Sequence, residues 1–113
     1  MDKVEEYKAI IKKIMDDITT IPTVQSYPLQ TQKIIDDVNG HYLIYKNGWR
    51  ESNRIYGCIF HLEVTHEGKV WLHHDGTDLL VGQQLIDAGV PKSSMVIGFH
   101  EPAMRPWTDF AVA

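Results

Sequence analysis

The first stretch of the chain carries apolar residues three and four positions apart. Val4, Tyr7, Ile10, Ile11, Ile14, Met15 and Ile18 fall on one stripe of a helix, and Lys12, Lys13, Asp16 and Asp17 fall mostly off it. Asp2 can cap the start, with Glu5 three residues on. Thr19-Thr20-Ile21 and then Pro22 end the helix, and a loop is expected over residues 21–28. Beyond it the period falls from 3.6 to two. Leu29–Asp36, His41–Lys46, Ile55–Thr65 and Val70–His74 read as four strands. Asn39-Gly40, Asn47-Gly48 and Glu67-Gly68 supply the breaks between them. Short connections make antiparallel neighbours, so these strands should form a meander.

The last third changes character. Asp75-Gly76-Thr77 is a turn whose Thr77 can cap a second helix carrying Leu79, Leu80, Gln83, Gln84, Leu85, Ile86 and Ala88. Gly89 and then Pro91 stop that helix, and Pro91 can open a short turn through Ser94. Met95 to Phe99 is an apolar run of strand length. The tail from His100 to Ala113 reads as ordered but irregular, because Trp107 and Phe110 are costly to leave wet. No repeat, low-complexity stretch or linker interrupts the chain. The expectation is one α+β domain over residues 1–113. It has two layers, a four-stranded antiparallel meander packed by the N-terminal helix and by a second helix in the C-terminal half.

Composition narrows the function. At 113 residues, 43% of them hydrophobic, the chain can bury a core without staples. The single cysteine, Cys58, has no internal partner, so folding does not depend on oxidation; its apolar setting reads as a small core residue rather than a reactive thiol. Met1-Asp2-Lys3-Val4-Glu5-Glu6 is not a signal peptide, and no stretch approaches the ~20 apolar residues of a membrane span, so a cytoplasmic location is expected. Eleven basic residues against fifteen acidic ones give a net charge of −4. Binding to DNA phosphates draws its free energy from clustered Lys and Arg, so direct DNA binding is disfavoured.

Six histidines, His41, His61, His66, His73, His74 and His100, are the most suggestive chemistry. If Glu67 and Gly68 form a two-residue hairpin loop, His61 opposes His74 and Glu63 lies two residues along on the same face. Two imidazoles and a carboxylate there could make an open metal site. The plainer alternative is a set of sheet histidines hydrogen-bonded to neighbours, and a one-residue slip would move His74 to the other face. Asp75 and Thr77 at the start of the second helix could leave N–H groups for an anion or satisfy those groups themselves, and the second is favoured. No G-x-S-x-G setting surrounds Ser26, Ser52, Ser93 or Ser94, and three arginines cannot furnish a recombinase centre. The residues alone therefore support no catalysis and call for no cofactor. Trp71 reads as packed within its strand, whereas Trp49 and Trp107 sit in irregular segments and are candidate interface anchors.

Several short motifs together carry a family resemblance. They are Met1-Asp2-Lys3-Val4-Glu5-Glu6-Tyr7 with Ile10-Ile11, Gly48-Trp49, Arg54, Gly57-Cys58, His61 and Gly68-Lys69-Val70-Trp71. Then come His74-Asp75-Gly76-Thr77-Asp78, Gly89-Val90-Pro91-Lys92, Val96-Ile97-Gly98-Phe99-His100, Pro102, Arg105 and Phe110-Ala111-Val112-Ala113. Over nearly its whole length the chain resembles the XisI family, the fdxN element excision controlling factor proteins. It departs from the pattern at Asp78, where Glu is usual, and at Ser94, where an acidic residue is common.

The resemblance implies a non-catalytic accessory role in programmed DNA-element excision in cyanobacteria, during differentiation for nitrogen fixation. A separate site-specific recombinase exchanges the strands, and a companion, XisH, has a nuclease-like look. The family brings no catalytic residues to carry over. The implied partners are an XisH-like protein and the recombinase. The candidate contact patch is His100, Glu101, Pro102, Arg105 and Trp107, near Asp75 and Thr77, with Trp49 as a further anchor. An Asp75–Arg105 ion pair that pins the tail is the structural alternative. A metal-dependent enzyme using His61, Glu63 and His74, and an inhibitor or antitoxin-like partner of a nuclease, are the other readings. A homodimer is also expected, because a meander leaves an edge strand that a second copy can pair; the sequence does not say which edge.

Overall fold

The computed structural model describes residues 2–20, 29–77 and 79–113. The expected loop over residues 21–28 lies outside the described residues, as does Asp78. In chain order the elements are α1 (Lys3–Thr20), β1 (Leu29–Asp36), β2 (His41–Arg50), β3 (Asn53–Val64), β4 (Val70–Asp75), α2 (Val81–Asp87) and β5 (Met95–Ile97). Single 3-10 segments occupy Lys92–Ser94 and Pro102–Trp107.

Helix α1 follows its stripe: Tyr7, Ile11, Ile14 and Met15 are buried, and Val4, Ile10 and Ile18 pack against the core from its margin. Asp2 Oδ1 accepts the Glu5 N–H at 2.9 Å, the cap expected from the sequence. The sheet order is β1-β2-β3-β4-β5. The first four strands form the antiparallel meander, so the α+β class holds, but the sheet has five strands rather than four. The fifth, Met95–Ile97, lies parallel to β4, pairing Met95 with Val70 and Ile97 with Leu72. It reaches that position by the crossover through α2, the connection that parallel neighbours require.

Two turns differ from expectation. Asn47-Gly48 does not interrupt β2, because the β2–β3 ladder runs on to Arg50 opposite Asn53. The chain reverses at Glu51-Ser52, with Glu51 in the left-handed region at φ 57°. The β3–β4 loop is also one residue longer than a Glu67-Gly68 pair. Thr65 N–H donates to the Lys69 carbonyl at 2.9 Å, which leaves His66, Glu67 and Gly68 as the loop.

The core lies between the helices and one face of the sheet. Tyr42 and Ile44 of β2, Phe60, Leu62 and Val64 of β3, and Val70 and Leu72 of β4 alternate onto that face and are buried. Val81 and Leu85 of α2, with Met95 and Ile97 of β5, join the same cluster. Helix α2 starts at Val81, later than the pattern suggests, and Leu79 and Leu80 stay exposed before it. Its end is the expected one: Gly89 has φ 114°, and Val90 N–H reaches the Leu85 carbonyl at 3.0 Å. Among the described residues, no helix is long and apolar enough to cross a membrane.

Gly40 joins the first hairpin to β3. Asp36 Oδ1 accepts the N–H groups of Val38 and Asn39, and Gly40, at φ 75°, passes its carbonyl to Val64 N–H at 2.8 Å. A Cβ on Gly40 would sit 2.2 Å from the Val64 carbonyl oxygen, whereas one on Gly57 would meet nothing within 4 Å. Gly40→Ala is therefore expected to cost more than ~1 kcal/mol in urea unfolding, and Gly57→Ala to change stability by less than that.

Candidate functional site

The helices occupy one face of the sheet, so polar chemistry collects on the other. That outer face carries a row of imidazoles crossing three strands: His41 on β2, His61 on β3 and His73 on β4. His41 Nδ1 and His61 Nε2 are 3.0 Å apart, and the His61 and His73 ring centroids are 4.7 Å apart. The His41–His61 hydrogen bond needs a proton on one ring nitrogen and a lone pair on the other, so it holds only while at least one of the rings is neutral. Glu63 closes the row from β3. Its Oε1 is 2.8 Å from His73 Nε2, and its Oε2 is 3.9 Å from His41 Nε2.

The longer loop and a bulge in β4 together build this row. Near the turn the register pairs Val64 with Val70, Glu63 with Trp71 and Leu62 with Leu72. It then shifts, so that His61 faces His74 and Phe60 faces Asp75. The expected His61–His74 pairing thus holds, but only because a one-residue bulge cancels the extra loop residue. At such a bulge two residues oppose one. His73 is the additional residue, and it takes the place beside Glu63 that the sequence pattern assigned to His74. His74 itself is exposed. Among the described residues, no group of three or more His, Cys, Asp or Glu side chains is arranged to hold a metal ion, so His61, Glu63 and His74 are not brought together as a ligand set. His73 was the residue missed. The His73-His74 doublet ahead of a turn was its signal, since a bulge lets adjacent residues share one face.

His61 lies at the centre of the row. Burial holds its pKa below the usual 6.5, and the His73 and His41 charges act in the same direction, while Glu63 opposes them. A histidine so held is neutral in the fold at a pH where the unfolded chain already takes up a proton.

The row continues into the C-terminal tail. Trp71 stacks on His73, with ring centroids 5.6 Å apart and planes 18° from parallel. The Arg105 guanidinium lies 5.2 Å from the Trp71 ring centroid. Arg105 also donates to three backbone carbonyls, from Nε to His100 at 3.2 Å, from Nη2 to Gly98 at 3.3 Å and from Nη1 to Val112 at 3.4 Å. Ala111 N–H adds a bond to the Met95 carbonyl at 2.8 Å. The tail is thus folded back against β5.

The alternative raised from the sequence, an Asp75–Arg105 ion pair, does not form. Asp75 spends its carboxylate on its own loop, accepting Thr77 N–H at 2.9 Å, the Thr77 hydroxyl, and Val81 N–H at 3.3 Å. Asp75 rather than Thr77 therefore reaches the first N–H of α2.

Held this way, the 3-10 segment Pro102–Trp107 presents an apolar surface. Glu101 starts the segment with its carbonyl accepting Met104 N–H at 2.8 Å, and Pro102 follows at its first position. Phe99, His100, Glu101, Met104, Trp107 and Thr108 line an open groove of about 380 Å³. Trp107 is 84% exposed, and Phe99 and Met104 are more than half exposed beside it. Phe99 and Met104 belong to this surface although the sequence reading did not single them out; their signal was an apolar residue on each side of the Pro102 turn. Trp49 is elsewhere, at the tip of the β2–β3 hairpin opposite Arg54, whose guanidinium is 5.5 Å from its ring centroid.

Two outcomes are expected here. In NMR titration His61 should protonate below pH 6.5, and stability should fall as pH drops from 6.5 toward the His61 value, because the unfolded chain gains the proton first. His61→Gln should remove that slope. Arg105→Ala should cost roughly 1–2 kcal/mol and speed amide exchange across the tail, read by exchange mass spectrometry.

Comparison with known proteins agrees with this architecture. No curated protein matches the sequence. The crystal structure of the fdxN element excision controlling factor XisI from Anabaena variabilis ATCC 29413 is 29% identical, with a TM-score of 0.83, over 99% of this chain and 100% of that one. A XisI-like protein from the same organism is 31% identical, with a TM-score of 0.88, over 97% of this chain and 99% of that one. The family model described as XisI protein matches residues 1–112, and the chain belongs to the XisI family.

Proposed function

We propose that this chain is a non-catalytic controlling factor for excision of a DNA element, and that it works by holding a protein partner on its tail surface. The observation that carries the reading is Trp107, 84% exposed on a segment fixed to the sheet by Arg105. A large aromatic ring left wet on an ordered turn is characteristic of an interface anchor. Phe99 and Met104 widen the apolar patch, and Glu101 and His100 give it a polar rim. The net charge of −4 favours contact with protein over contact with DNA phosphate.

The role in excision comes from the resemblance to the Anabaena controlling factor. The partner proposed is an XisH-like protein, with the site-specific recombinase as a second. A chain of this kind steers an enzyme without supplying its nucleophile, and it can do so by activating or by restraining. The purified chain, titrated against an XisH-like protein of the same genome, should bind at micromolar concentration. Trp107→Ala should weaken binding at least tenfold, about 1.4 kcal/mol, with the far-ultraviolet spectrum unchanged. Nuclease activity of the partner measured with and without this chain gives the sign of the control. Absence of binding, or hydrolysis of nucleic acid by this chain alone, would sink the reading.

A further inference from the structure

The two sheet edges are finished differently. At β5 the tail folds alongside, and Ala111 N–H bonds the Met95 carbonyl. At the other end β1 has a ladder partner on one side only, β2, among the described residues. Natural edge strands are usually guarded by a protruding charge, a proline or a bulge. Over Leu29–Asp36 β1 has no proline and no bulge, and its two charges, Lys33 and Asp36, are both engaged by groups of the same chain.

Both charges have partners within the chain. Lys33 Nζ bonds Asp16 on α1. Asp36 accepts Val38 N–H, Asn39 N–H and the Asn39 side-chain amide. Asp37, in the turn that follows, is taken by Lys12 at 2.8 Å and by the Tyr42 hydroxyl at 2.7 Å. What remains facing outward is amide and aliphatic. Ile34 and Ile35 are 47% and 43% exposed, and as neighbours on a strand they lie on opposite faces. An edge strand with an isoleucine half-bare on each face resembles an inner strand that lacks its second neighbour.

We propose that β1 pairs antiparallel with β1 of a second copy of this chain, joining two five-stranded sheets into one. A two-fold axis normal to the sheet fits this edge. It keeps both helix layers on the same side and leaves each strand's two faces in step with its partner's. Ile34, opposite Leu43 in the β1–β2 ladder, would then extend an aliphatic row on the outer face. Ile35, opposite Tyr42, would do so on the helix side. With Lys33 and Asp36 already satisfied within each copy, the two identical edges meet without like-charge repulsion. The interface is independent of the tail surface, which borders β5.

The test is sedimentation equilibrium of the full chain from about 1 to 200 µM, the range suited to an interface at or below standard size. The expected result is a reversible dimer whose dissociation constant rises at least tenfold in Ile34→Lys and is unchanged in Trp107→Ala. Ile34 is half-exposed, so its replacement should leave the thermal midpoint of the dilute monomer near that of the wild type. Amide exchange supplies a second readout on the unaltered chain, where protection of β1 amides should rise with concentration while that of β3 amides stays constant. Four results would overturn the proposal. They are a monomer throughout, a dimer indifferent to Ile34→Lys, a dimer lost in Trp107→Ala, and β1 amides protected equally at every dilution, which would mean that the chain covers its own edge.

Discussion

Burial of one face of the sheet is the constraint on which the rest of this molecule depends. Tyr42, Ile44, Phe60 and Leu62 are fully buried from the central strands alone, and each such side chain contributes about 1.5–3 kcal/mol relative to exposure. Both helices are needed to cover that face. Since they are spent there, the opposite face is left to the imidazole row and to the tail. Val96 shows the division at the scale of one strand. Met95 and Ile97 point into the helix-side core, while Val96, between them, is buried on the other side and pairs with Trp71.

How much of this could be read from residues alone depended on how local the cause was. The α1 stripe was fully legible, because a helix places residues three and four apart on one side whatever lies around it. The α+β class and the meander were legible for the same reason, since alternation and short connections are local. Turn length was not. Asn47-Gly48 has turn chemistry, yet it stays inside β2 because ladder pairing to Arg50 and Asn53 outweighs it. The fifth strand was visible as an apolar run but not as a member of the sheet. Three residues carry little alternation, and their place is set by pairing with β4 across the crossover.

The outer-face site was legible in part. Opposition of His61 and His74 followed from counting back from the turn. The count missed one loop residue and one bulge, and the two errors cancelled at that pair but not at Glu63. His73 therefore gained the carboxylate. Contacts between distant segments had no sequence signal. The Arg105 guanidinium over Trp71 joins the last segment to β4, and its carbonyl bonds stand where the alternative pairing with Asp75 would have been. Trp107 was legible as a candidate anchor, but its exposure depends on how that arginine fastens the turn.

The parallel seating of β5 bears on how the chain assembles during synthesis. Hairpins β1–β2, β2–β3 and β3–β4 join neighbours in the chain and can close as soon as each pair has left the ribosome. β5 cannot pair until the α2 crossover has been made, and the tail that fastens to Met95 is made later still. Until then β4 is a bare edge and Trp71 lacks its arginine cover. A partner that grasps the finished tail would meet only chains that have passed that open stage.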